Sequence, residues 1–464
     1  EARISGTLPI SLPPYHVEGE GLVREQVAEP LRDGGGDSLD ETGFVAGGDE
    51  PRTEAPPDPP LTSMTVSRAE ALPSDAAMSA AVLARLDSAI LEAVVDSATP
   101  GAALAVGRGD RLVRLRGYGR IDGAPDAPPA TPTTLYDLAS LTKVVATTTA
   151  VMRLVDEGRL SLDDRVVEHL PWWAGGDPRK ADVTLRQLLL HRAGLPEYEP
   201  LYTEARGHAD YERAIGAMEL ELEPGTRSRY SDLGMMTLGF IVEEVTGLPL
   251  GRHVDETVWT PLGMEDTGFL PEEWLLPRIA PTEVDTILRN SHLRGVVHDE
   301  NAWALGGRAG HAGVFSTAAD LAVYARMMLA GGELEPCLRP LAESGTSAGT
   351  VACTVPWADG GRVLSEEVVA EFTRRWDDGS SRALGWDTPS GRSSAGDFFT
   401  ADAFGHTGFT GTSIWIDPEL DLFVVLLTNR VNPTRENQKH LELRRTVHDL
   451  AARAITDRTV EPRE

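Results

Sequence analysis

Lysine is nearly missing from this chain: three occur in 464 residues, at 143, 180 and 439, against forty arginines. A guanidinium keeps its proton at any accessible pH, whereas an ε-amine can lose one when burial or charge shifts its pKa. Positive surface charge is carried almost everywhere by arginine, and the lysine kept at 143 points to a position that needs an amine able to deprotonate. Positive charge is short overall. The formal net charge of −29 and a pI near 4.8 set the chain against phosphate backbones and anionic lipid, so no nucleic-acid partner is expected. Long apolar runs are also missing. The longest, Leu422 to Leu427, falls far short of the roughly 20 residues that cross a bilayer, so no transmembrane segment is expected. The two cysteines, Cys337 and Cys353, can at most close one bridge. In an exported protein it would enclose a loop of about 15 residues and contribute on the order of 3 kcal/mol; otherwise they are two free thiols. No signal-peptide pattern opens the chain, and Glu1 in place of Met reads as a processed or truncated product.

The first 25 residues differ in character from the rest of the chain, with Ile4 to Pro13 reading as a short proline-punctuated edge strand. Residues 26–70 carry Gly34-Gly35-Gly36, Gly47-Gly48 and Pro56-Pro57-Asp58-Pro59-Pro60 among scattered acids. That composition buries too little apolar surface to order itself, and a disordered linker is expected. From residue 71 to about 460 the pattern is that of a compact domain. Val82, Leu83, Leu86, Ile90 and Val94 recur at helical spacing. Two strands come next, at 102–106 and 112–118, and a second hairpin, 413–416 with 422–428, precedes a helix over 441–455. Helical periodicity dominates between about 140 and 330. The economical fold class is α/β in the broad sense, more narrowly α+β: an antiparallel sheet flanked by helices, with an inserted helical domain.

One of the rare lysines stands three residues after a serine in Leu138-Ala139-Ser140-Leu141-Thr142-Lys143. At the start of a helix reaching to about Gly158, Ser140 and Lys143 share a face and can touch. A serine hydroxyl is a weak nucleophile until a base takes its proton, and a neutral lysine can be that base. Tyr230 and Asp232 lie two apart on a loop entering a helix. Gly405-His406-Thr407-Gly408-Phe409-Thr410-Gly411 precedes the late hairpin, where small residues let a substrate backbone lie along a strand edge.

In that order the three elements resemble the serine β-lactamase and penicillin-binding protein family: class C β-lactamases, DD-carboxypeptidases and related esterases. The stretches 183–195, Pro261-Leu262-Gly263-Met264, 298–302 and 310–317 add to the likeness, which covers about 71–457 and looks closest to the branch of penicillin-binding protein 4B and the family esterases. The resemblance implies a β-lactamase/transpeptidase-like fold and makes Ser140 the nucleophile, Lys143 its base partner and Tyr230 the proton shuttle to the leaving group. It places the Ser140 and Phe409 N–H groups as oxyanion donors and implies substrate contacts from Asp232, His406, Thr407, Gly408 and Phe409. It implies no cofactor, and as substrate a small ester, a D-amino-acid peptide or a β-lactam, met outside the cytoplasm. Residues 4–23 resemble the last strand and tail of a family 3 glycoside hydrolase, which suggests fusion to or association with such an enzyme.

Two positions depart from the family pattern. Asp232 stands where an asparagine is usual and, ionised, offers only acceptors. His406 stands where a lysine is usual and is partly neutral at pH 7. Both rank penicillin hydrolysis below ester hydrolysis or slow peptidase work. His298, Asp299, Glu300 and His311 lack metal-ligand spacing and read as loops lining the cleft, and no metal is expected. His191 reads as a backbone hydrogen-bonding histidine at a helix end.

Overall fold

The computed structural model describes residues 70–333 and 361–463. The readings of residues 1–25, of the linker up to residue 69, and of Cys337 and Cys353 lie outside the described residues.

A five-stranded antiparallel sheet organises the fold. Its spatial order is Arg111–Gly119, Gly101–Arg108, Leu422–Thr428, Ser413–Asp417, Phe404–Thr407. The two hairpins expected from sequence are both present, and the sheet is closed by pairing across almost the whole chain, Ala102 with Thr428 through Arg108 with Leu422. Alternate side chains feed two cores. Ala102, Leu104, Val106, Trp415, Val424 and Leu426 face helix Ala80–Val95, through Leu83, Leu86 and Ile90, and helix His440–Arg453, through Leu443 and Val447. Ala103, Ala105, Ile414, Ile416, Phe423 and Val425 face the other way, into a larger core that the central helices fill. Both faces are covered. That is why Leu422–Thr428 reads as an unbroken apolar run without the alternation of a half-solvated strand.

Three contacts of the central helical region position the cleft. Helix Ala318–Leu329 packs on the central strands. A small sheet pairs Tyr136–Asp137 with Val314–Ser316, bringing the segment before Ser140 beside the segment after His311. Helix Asp232–Thr246 meets the chain just before His311, at Gly310, where an added Cβ would stand 2.1 Å from the Met235 carbonyl oxygen. Only glycine permits so close an approach. Among the described residues no single helix is long and apolar enough to cross a membrane.

Candidate active site

The chain enters the cleft through Asp137, whose buried carboxylate accepts the Ala139 N–H at 2.8 Å and the His298 N–H at 2.6 Å. These bonds hold Ala139 at φ +48°, a left-handed conformation rarely adopted outside glycine, in the residue before Ser140. Burial pushes the Asp137 carboxyl pKa up despite the two donors. The sequence reading of one regular helix from Ser140 to Gly158 needs correction. A 3₁₀ turn, Ala139–Leu141, gives way to a π turn, Lys143–Thr148, and only then to α-helix Thr149–Asp156. The wider turn is supported from outside the helix ladder, because the Val144 carbonyl accepts from the Thr149 hydroxyl at 2.7 Å and the Tyr324 hydroxyl at 3.1 Å.

Ser140 and Lys143 touch, as their spacing predicts: Lys143 Nζ donates to Ser140 Oγ at 2.8 Å. The amine has no exposed surface. It also donates to the His311 carbonyl at 3.1 Å and pairs with Asp232 Oδ1 at 2.8 Å. The adjacent carboxylate suits an ammonium rather than a neutral amine. Burial works against that charge, but Asp232 and Tyr230 outweigh it and hold the Lys143 pKa above the ordinary lysine value. The expected amine, already tuned to give up its proton, is therefore not what the resting site contains. The reason is Asp232, whose carboxylate supplies the opposing charge at contact distance.

Tyr230 stands beside the pair, its ring facing the Lys143 ammonium. Lys143 Nζ lies 5.0 Å from the ring centroid, the His191 ring 4.8 Å and the Arg382 guanidinium carbon 5.2 Å. Burial pushes the phenol pKa up. His191 accepts the Ser231 N–H on Nδ1 at 3.2 Å, the backbone role read from sequence, and this steadies the loop that carries Tyr230 into helix Asp232–Thr246. Burial, with Arg382 and Lys143 nearby, drives the His191 pKa well below the usual imidazole range.

The late motif closes the cleft. His406 is buried on edge strand Phe404–Thr407, its Nδ1 2.8 Å from the Thr407 carbonyl. Burial, then Lys143 and Arg382, hold its pKa well below 6.5, so the ring is neutral where sequence reading expected a partial charge. Gly408 has no room for a side chain, since an added Cβ would lie 2.1 Å from Thr412 Oγ1 and 2.3 Å from the Leu138 carbonyl oxygen. The loop is bolted to the segment before Ser140, with Thr410 Oγ1 donating to the Asp137 carbonyl at 2.7 Å and Thr412 Oγ1 to that of Leu138 at 3.0 Å. Arg444, from the last helix, donates to the Gly408 and Thr412 carbonyls. Among the described residues, no backbone acceptor takes up the N–H of Ser140 or Phe409. The Phe409 ring is 48% exposed, stacked on His298 and under Arg430.

Sequence spacing missed one cluster. His311 Nε2 lies 2.8 Å from Asp299 Oδ1, and one ligand-type atom each from Asp232, Asp299 and His311 falls within 4.8 Å of the others. Asp232 is already engaged by Lys143 and Asp299 by His311, which makes the cluster part of the charge network around the amine. Burial opposes the Asp299 charge, but His311 outweighs it and holds the carboxyl pKa low. Asp137 and Arg444 carry no sequence signal, because their partners are backbone groups or residues far along the chain.

Comparison with known proteins agrees with this geometry. The β-lactamase family model matches residues 86–449. A relative from Salmonella schwarzengrund, provisionally named a D-alanyl-D-alanine carboxypeptidase, is 34% identical over 391 residues, covering 77% of this chain and 84% of the relative. Among solved structures, a penicillin-binding protein homologue from Caulobacter crescentus superposes with a TM-score of 0.60 at 21% identity, over 80% of this chain and 98% of that one. A family VIII carboxylesterase does so with a TM-score of 0.59 at 23% identity, over 81% and 98%. With the family matched over most of its length and a serine, a lysine and a tyrosine meeting in its cleft, the chain belongs to the β-lactamase family of serine hydrolases.

Proposed function

We propose that this protein is an acyl-serine hydrolase acting on carboxylic esters or D-amino-acid cell-wall peptides. The observation that carries this reading is the 2.8 Å contact between Ser140 Oγ and Lys143 Nζ, with the centre of the Tyr230 ring 5.0 Å from the same amine. Ser140 attacks the substrate carbonyl and its proton passes into the Lys143–Tyr230 pair. The N–H groups of Ser140 and Phe409 take the developing oxyanion. Tyr230 hands a proton to the leaving group, an acyl-enzyme remains on Ser140, and water then releases the acid. Because the resting network holds Lys143 as an ammonium, one proton must leave before attack, and the rate rises with pH. His406, neutral and buried, holds a substrate carboxylate less firmly than a lysine, and Asp232 lacks the amide that serves an acylamido group, so ester hydrolysis or slow peptidase work ranks above efficient β-lactam hydrolysis. A cell-wall substrate places the enzyme outside the cytoplasm, where a family 3 glycosidase is a fitting companion.

The test is a substrate panel of p-nitrophenyl acetate, a D-Ala-D-Ala peptide and nitrocefin, with mass spectrometry of the fluorophosphonate-treated protein. Wild-type protein should hydrolyse at least one of the first two and carry the adduct on Ser140. Ser140→Ala should lose both by at least about 10³-fold. Turnover that survives the substitution removes Ser140 from the mechanism. Muropeptide binding without labelling replaces the hydrolase with a non-catalytic binding module.

A further inference from the structure

At the end of the edge strand remote from the cleft, two arginines line one cavity. The bridge between Asp387 and Gly405 is antiparallel, so the chain after Asp387 runs away from His406. There, with the stretch 397–401 and Arg463, it walls a cavity of about 380 Å³ that shares no lining residue with the active site. Arg375 and Arg463 are both partly buried in that wall. Among the described residues their side chains bond only to neutral oxygens. Arg375 donates from Nε to Thr388 Oγ1 at 2.9 Å and from Nη2 to the Pro389 carbonyl, and Arg463 donates from Nη2 to the Gly396 carbonyl at 2.6 Å and from Nη1 to the Phe399 carbonyl.

These bonds fix the two guanidinium groups without neutralising them, and they leave Nη1 of Arg375 and Nε of Arg463 unspent. The acid on the wall, Asp397, is engaged elsewhere, its Oδ1 pairing with Arg445 at 2.9 Å. Asp449, which also acts on Arg463, accepts the Asp397 and Phe398 N–H groups. Ser390 and Gly391 add further donors, since among the described residues neither their N–H groups nor the Ser390 hydroxyl finds an acceptor. The net charge of −29 repels anions at long range. Any anion held here is therefore held by local contacts and not by the general field of the molecule.

We infer that this cavity binds a phosphoryl oxyanion between Arg375 and Arg463, either free phosphate or the phosphoryl end of a small monoester. Two guanidinium groups, a hydroxyl and two amides offer more donors than the two oxygens of a carboxylate can use. A phosphoryl group presents three or four oxygens and the second negative charge that a pair of arginines answers. A bare phosphate does not fill about 380 Å³, and the remaining space admits a short organic body. The bound oxygens tie Arg375, just after helix Glu366–Thr373, to Arg463, so the ligand stabilises the packing of these two distant segments. The site stands apart from the hydrolase reading and holds whether or not Ser140 forms an acyl-enzyme.

The test is isothermal titration calorimetry of the full chain with inorganic phosphate, glycerol 3-phosphate and acetate, at an ionic strength held constant with chloride. Thermal melting is the folding control. The wild type should bind at least one phosphoryl probe with a Kd of about 1 mM or tighter, the scale of two charge-assisted pairs, and acetate at least about tenfold more weakly. Whichever phosphoryl probe binds more tightly identifies the source. Arg375→Gln and Arg463→Gln should each weaken binding by about tenfold or more. Arg213→Gln, which removes an exposed arginine paired with Asp210, should leave it unchanged. Ala401→Glu sets a carboxylate at an exposed position of the cavity wall while keeping both arginines, and should abolish binding. That variant decides the question if an arginine variant melts early. Absence of phosphoryl binding by the wild type, acetate bound as tightly, or binding that survives Ala401→Glu overturns the inference.

Discussion

Lys143 in the cleft and Lys180 in the 3₁₀ turn Pro178–Asp182 both lie without exposed surface, yet burial has opposite outcomes for them. Lys180 donates to the Ile215 carbonyl at 2.6 Å and the Gly216 carbonyl at 3.2 Å, with its ammonium 4.7 Å from the centre of the Trp173 ring. Burial lowers its pKa to about 8, opposed only weakly by Asp177. Lys143, with a carboxylate at 2.8 Å, goes up instead. Carbonyl dipoles and a ring face hold an amine in place without offsetting its desolvation, whereas one contacting carboxylate reverses the sign. Of the two buried lysines, one is a structural peg and the other an ion-paired ammonium in contact with Ser140.

Substitutions can break this contrast, beginning with the largest effect. Lys143→Arg keeps the cation and its pairing with Asp232 but cannot deprotonate. Its kcat should fall by about 10²–10⁴-fold, the usual value of positioned proton transfer, with the fold intact by circular dichroism. Near-normal turnover in that variant would show that Lys143 serves only as a fixed charge.

Asp232→Asn removes the carboxylate that makes Lys143 unlike Lys180. Burial then dominates, the Lys143 pKa drops, and the deprotonated form is reached at lower pH. The acid limb of the kcat/KM profile should move toward acid by at least about one pH unit, the lower end of what a contacting opposite charge supplies. A limb that does not move detaches the pH dependence from this pair.

Lys180→Met has the smallest effect and should show only in stability. The folded pKa of about 8 lies below the 10.5 of an unperturbed lysine. The unfolded chain therefore binds more protons between those values, and wild-type stability attributable to Lys180 rises as pH climbs through that window. Relative to the variant, urea unfolding should show a gain of up to about 3 kcal/mol across it. Parallel curves for the two proteins would mean that Lys180 folds with an ordinary pKa.

Much of the cleft was legible in the residue order. Ser140 and Lys143 meet because three residues of a helical turn bring side chains to one face. Tyr230 and the 405–411 stretch were recognisable as short motifs, each needing only its neighbours to be read. The hairpins around residues 109 and 419 were marked by turn residues between apolar runs. The charge state of the amine was not legible, because it depends on Asp232, which lies 89 residues away along the chain. The same holds for Asp137, which pins the backbone before the serine, and for the Asp299–His311 pair, whose partners meet only after the small sheet has formed.

Local sequence determined the reactive side chains, the two hairpins and the helices that cover them, since periodicity, turn residues and three-residue spacing act over one or two turns of chain. Tertiary structure alone decided that the lysine keeps its proton and that His406 is neutral. Those properties arise from the distance and dielectric between groups brought together from across the chain, and Coulomb energies at a few ångströms change by more than the pKa differences they set.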